Sequence, residues 1–227
     1  MTDAQEPRGT GSARDFMPDR GDAGLPVLRN AIQHCQGCGL YAYATQAVFG
    51  EGPADAAVML VGEQPGDRED VAGHPFVGPA GGLLDRALVA AGIDRSKVYV
   101  TNMVKHFKWK RTARPAVAPG TKRRLHDKPN AYEVSACKPW LEAEIGRVKP
   151  KIVVCLGSTA AQGLLGRTFR VTRQRGEFFP YELAPLITAT VHPSSILRAP
   201  DAAAREREFT EFVRDLERVV ERLADLG

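Results

Sequence analysis

The sequence predicts a three-layer α/β/α sandwich around a central, mainly parallel four-stranded sheet, and three observations carry that expectation. Four nearly continuous apolar runs of strand length occur at residues 56–61, 98–104, 151–157 and 186–191, the pattern of strands covered on both faces. Helical three-to-four apolar spacing alternates with them at residues 81–91, 131–148, 158–165 and 201–226, as parallel sheets require. The chain has 227 residues, 43% hydrophobic and 26% charged, which suits one domain with a sizeable core. Residues 25–227 are expected to form that domain, preceded by a loose polar tail at 1–24 without hydrophobic period. No apolar run approaches the ~18 residues that cross a bilayer. The first residues carry Asp3 and Glu6 and lack the apolar core of a secretory signal. A cytoplasmic, monomeric protein away from membranes is expected.

In chain order, Leu25, Leu28, Ala31 and Ile32 predict a short helix ending near His34, with Pro26 tolerable in its first turn. It leads into Cys35-Gln36-Gly37-Cys38, a two-thiolate clip whose glycine permits a tight turn. The other cysteines are Cys137 and Cys155, not arranged as a second C-x-x-C, which argues against a zinc ribbon. A four-thiolate iron-sulfur cluster fits this spacing better; structural zinc and unliganded core thiols are the alternatives, and disulfides are disfavoured in a reducing compartment. The first strand ends in Gly62-Glu63-Gln64-Pro65-Gly66. Active sites of open α/β sheets gather at the carboxyl ends of strands, so Glu63 and Gln64 stand where chemistry is expected. The turn has neither dinucleotide-binding nor P-loop spacing. Phe76 sits in the glycine-bounded loop 73–78, as core or as a stacking platform. The second strand delivers Asn102, whose amide offers an acceptor and a donor to a base edge or fixes a turn. Ser158 is a reasonable cap for the helix after the third strand, and the fourth strand ends in His192-Pro193-Ser194-Ser195.

Charge is concentrated. Residues 105–128 hold nine cations and one acid, a net +8 in a chain of +4, so the remainder sums to −4. With Phe107 and Trp109 among the cations, this is the footprint of nucleic-acid binding; a merely solvated charge run is the plainer reading.

Taken together, the 62–66 turn, Thr101-Asn102, His192-Pro193-Ser194-Ser195 and the four cysteines resemble family 4 uracil-DNA glycosylases, in the right order over roughly residues 28–220. Gln64 stands where that family has alanine. The family also lacks a basic insertion ending in histidine, whereas Lys122-Arg123-Arg124-Leu125-His126 resembles the Lys-Arg-Arg-Ile-His loop of the UdgX branch, which becomes covalently attached to uracil-containing DNA. Leu125 replaces Ile, and the stretch between Lys108 and Lys122 is longer than usual, with Pro115 and Pro119.

The resemblance implies excision of uracil from DNA, expected in single-stranded form, after the base leaves the stack for a pocket. Positive charge builds on the sugar C1′ and negative charge on the departing base. Phe76 would stack on uracil, with Gln64 among the substrate-binding residues. Asn102 would read O4 and N3–H, a pattern cytosine violates. His192 would donate to O2, a bond worth about 3 kcal/mol. Glu63 would stabilise the sugar cation or orient an imidazole, and His126 would attack C1′ in place of water, giving one turnover and a protein–DNA adduct. Lys122, Arg123 and Arg124 would hold flanking phosphates. Cys35, Cys38, Cys137 and Cys155 would hold a [4Fe-4S] cluster. The competing expectations are an ordinary multiple-turnover glycosylase and a non-catalytic DNA-binding module.

Overall fold

The computed structural model describes residues 9–19, 23–111 and 124–227, the Arg111 side chain excepted. Five strands form one sheet in the order β2-β1-β5-β7-β6. Strands β1 (Val58–Gly62), β2 (Val98–Asn102), β5 (Ile152–Leu156) and β7 (Ala184–Thr190) are the four apolar runs of the sequence and pair in parallel. The fifth, β6 (Phe178–Tyr181), is an antiparallel edge strand with an irregularity at Pro180/Tyr181. Pro180 cannot donate to a ladder, which confines such a strand to an edge. A separate two-stranded ribbon joins β3 (Trp109–Arg111) to β4 (Arg124–His126).

Strand alternation builds the layers. Met59, Val61, Tyr99, Val153, Cys155, Ile187 and Ala189 face α4 (Ala131–Val148) and α5 (Ser158–Leu165). Leu60, Val100, Val154 and Leu156 point to the other side, against α3 (Pro79–Ala90), α7 (Pro193–Leu197) and α8 (Ala202–Asp225). Successive residues of a strand alternate faces, and both are covered, so every residue of β1, β2 and β5 is buried. Helix α4 opens on a reciprocal capping box, Asn130 with Glu133, and runs on through Pro139.

Two expectations need revision. Residues 9–17 were expected to lie in a loose tail; instead they dock on the cysteine turn. Thr10 and Gly11 N–H groups bond to the carbonyls of Gln36 and Gly37, and Ala13 is fully buried beside Cys35, Cys38 and Trp140. Lys105, counted with the surface cations, belongs to the core. It is fully buried and ion-paired with the equally buried Glu144. Thr101, Tyr99 and the Gly50 N–H also donate to that carboxylate, so the pair is desolvated but satisfied.

Candidate active site

Three parallel strands bring their carboxyl ends to one cleft. β1 delivers Glu63 and Gln64, β2 delivers Asn102, and β7 runs into His192. These residues, with Phe76 from the loop before α3 and His126 from β4, line a cavity of about 980 Å³.

The floor depends on close backbone approach. A Cβ on Gly62 would stand 2.4 Å from Asn102 Oδ1 and 2.7 Å from Phe76 Cζ, so glycine is required for both side chains to reach their places. Asn102 is 2% exposed. Among the described residues its amide has no hydrogen-bond partner, which leaves donor and acceptor free toward the cavity. Phe76 has φ of 58°, a left-handed conformation that a bulky residue adopts only when its surroundings impose it. The N-terminal turn of α3 packs so tightly beneath it that a Cβ on Gly81 would lie 1.6 Å from its carbonyl oxygen. Glu69, on α2 (Asp67–Ala72), holds the end of the same loop through the Gly78 N–H at 2.8 Å.

His192 caps α7. The Ser194 N–H donates to its Nδ1 at 3.1 Å. A backbone N–H can only donate, so Nδ1 is the acceptor and the neutral ring carries its proton on Nε2. Burial, with help from the Arg198 and His126 charges and against that of Glu63, lowers its pKa to about 4. A neutral, singly oriented N–H donor therefore lines the cavity at neutral pH.

Glu63 is tied on both oxygens. Thr159, in the first turn of α5, donates to Oε2, and His126 Nε2 lies 3.3 Å from Oε1. Burial alone would raise its pKa, but the bonds from His126 and Thr159 and the two histidine charges hold it below the ordinary carboxylate value. Thr159 went unnoticed in the sequence although, as a polar residue just past a strand end, it carried the signal that singled out Glu63.

His126 reaches the cleft on the β3–β4 ribbon, directly opposite Trp109. The ribbon is fastened at its base by Gln64. Its Nε2 donates to the carbonyls of Lys108 (3.1 Å) and Asp127 (2.9 Å), while its Oε1 accepts from the Lys108 N–H at 3.0 Å. Expected to contact substrate, the Gln64 amide is committed to the ribbon. Arg124, expected on phosphate, pairs with Asp67 (2.6 Å) and with the fully buried Asp70 (2.5 Å), and lies over the rings of Phe107 and Trp109. Lys108 pairs with Glu133 and Lys110 with Asp127. Of the cations in residues 105–128 with described side chains, only Lys128 has no carboxylate partner. Lys122 and Arg123 lie outside the described residues.

The cysteines divide. Cys35, Cys38 and Cys137 share one buried cluster with Trp140. Trp140 Nε1 donates to the Cys35 sulfur (3.2 Å) and the Lys105 N–H to that of Cys137 (3.3 Å). Burial pushes the Cys38 thiol up to about 11 and Cys137 further, so only a bound cation would make thiolates of them. Cys155 lies instead in the sheet core, across from Val61 and Ala189, and the pKa of its thiol is raised by burial alone. The expected four-cysteine set is not assembled, and among the described residues no three thiol, imidazole or carboxylate groups are close enough to hold a single metal ion.

Residues 49–217 match the family model described as the Uracil DNA glycosylase superfamily. Among curated proteins, the chain is 37% identical to a type-4 uracil-DNA glycosylase of Pyrobaculum aerophilum over 85% of this chain and 91% of that one. It is 34% identical to a type-4 uracil-DNA glycosylase of Thermotoga maritima, over 77% and 83% of the two chains. A third, from Sulfurisphaera tokodaii, is 32% identical over 85% and 84%.

Proposed function

The chain belongs to the uracil DNA glycosylase superfamily, and from that premise we propose that it excises uracil from DNA and captures the sugar on His126. The observation that carries this reading is the 3.3 Å contact between His126 Nε2 and Glu63 Oε1, at the mouth of a cavity that Asn102, Phe76 and His192 line.

A flipped uracil stacks on Phe76, and the free Asn102 amide accepts from N3–H and donates to O4. As the C1′–N1 bond breaks, its electron pair goes to the base. The Nε2–H of His192, fixed by the Ser194 N–H, donates to O2 and stabilises the anion. Glu63, held ionised by its bonds to His126 and Thr159, faces the positive charge on the sugar. An imidazole lone pair of His126 then forms the bond to C1′, and Glu63 stabilises the resulting imidazolium. Water would complete the reaction in an ordinary glycosylase; in this reading a ring nitrogen of His126 takes that role, supported by its contact with Glu63. Cys35, Cys38 and Cys137 are suited to an iron-sulfur cluster whose fourth position is not Cys155, and no step above depends on it.

The test is a denaturing gel with a uracil-containing single-stranded oligonucleotide. A shifted band that survives detergent and heat, and disappears in His126→Ala, is expected. Repeated release of free uracil with no shifted band would sink the capture step. His126 has a half-exposed side chain, which favours the second reading of a multiple-turnover enzyme in which it only lines the cleft.

A further inference from the structure

Among the described side chains of residues 105–128, four of the five cations are committed within the protein, through Lys105–Glu144, Lys108–Glu133, Lys110–Asp127 and Arg124 with Asp67 and Asp70. A different segment carries uncommitted charge. Residues 167–175 contain four arginines and no acid. Phe169 and Val171 of this segment are buried in the sheet core, with Phe169 edge-on to Phe179 at 5.8 Å. The backbone between them is fixed. Gln162 Nε2 donates to the Phe169 carbonyl, Arg170 Nη1 to the carbonyls of Arg167 and Phe169, and the Arg173 N–H to the Arg170 carbonyl. Anchoring these apolar residues leaves Arg167, Arg170 and Arg173 exposed at three-residue intervals, and among the described residues none of them pairs with a carboxylate. Arg175, by contrast, is tied to Asp215 and Glu208. Val171 lines the active-site cavity, as does Arg198, an exposed cation after α7 that also lacks a carboxylate partner.

We propose that Arg167, Arg170, Arg173 and Arg198 form the surface that grips the nucleic-acid backbone beside the cavity. Like charges on a rigid lip repel one another, and a ligand carrying regularly spaced phosphates relieves that repulsion while releasing its own counterions. The three-residue spacing of Arg167, Arg170 and Arg173 along an exposed segment offers several separate cations, which suits a strand better than a single phosphate. This deepens the proposed function, since it supplies the DNA contact which the cavity alone lacks and which the paired ribbon cations do not offer.

The test measures binding of the full chain to a uracil-free single-stranded oligonucleotide across a salt series. The slope of log K against log salt falls by about 0.7 for each phosphate that is no longer neutralised. Arg167→Ala/Arg173→Ala is expected to reduce it by about 1.4, while Arg205→Ala/Arg207→Ala on α8, an equal change of net charge, leaves it as in the parent. Arg173→Gln alone, which spares the Arg170 bonds, is expected to reduce it by about 0.7. Slopes equal to the parent's in both lip variants would overturn the proposal. Because the oligonucleotide holds no uracil, absent excision in the parent would count against the proposed function and leave this result readable.

Discussion

Replacing Gln64 by alanine separates excision from capture. The change removes the three hydrogen bonds that fasten the ribbon at Lys108 and Asp127 and touches none of Asn102, Phe76 or His192. At about 0.5–1.5 kcal/mol each, the three bonds favour the closed ribbon by roughly 1.5–4.5 kcal/mol. A midpoint near 3 kcal/mol corresponds to a shift on the order of a hundredfold in the fraction of molecules with His126 beside Glu63. Time courses of adduct, by denaturing gel, and of released uracil should diverge: adduct formation is expected to slow about 10–100-fold while excision falls much less, so free abasic product accumulates. Equal slowing of both, or an unchanged adduct rate, would refute the idea that Gln64 acts by holding the ribbon.

Lys105→Met should lower the urea-unfolding free energy by roughly 3–5 kcal/mol, because it strands a buried carboxylate. Glu144→Leu should cost more, since it also orphans the Gly50 N–H and the Tyr99 hydroxyl; equal losses would contradict this. His192 has its pKa lowered to about 4 in the folded protein against an ordinary 6.5, so the unfolded ring binds a proton that the folded one refuses. Stability is therefore expected to fall by about 3 kcal/mol as pH drops from 6.5 to 4 on this account, and His192→Asn should flatten the curve by that amount; parallel curves would argue against a buried neutral ring. Iron and sulfide analysis should show Cys155→Ala retaining the content of the parent and Cys137→Ala losing it. Loss in both would return Cys155 to the ligand set.

The four parallel strands could be read from sequence because burial on both faces leaves continuous apolar runs, and Glu63, Asn102 and His192 because open parallel sheets present function at strand ends. β6 escaped because Pro180 and flanking Glu177 and Glu182 break the pattern that marks a buried strand. Cys155, expected among the cluster ligands, lies two residues after Val153 and shares its face of the sheet, where a thiol packs as a small apolar group. Lys105 could not have been placed, because nothing local shows that Glu144, 39 residues later, meets it in the core. The same holds for Arg124 with Asp70, 54 residues apart. Local charge counts see cations but not the carboxylates that neutralise them.

The ribbon register has one more consequence. His126 is located by its pairing with Trp109, by Gln64 at the base and by Arg124 against Asp67 and Asp70, all outside the stretch between Arg111 and Arg124. The length of that stretch does not set where the imidazole stands, and closing a longer loop adds only about 0.6 kcal/mol per doubling. The position of His126 is thus fixed by contacts among the described residues at the base of the ribbon. A tag inserted between Arg111 and Arg124 is therefore expected to leave the His126 ring beside Glu63, because the contacts that hold it there lie at the base of the ribbon.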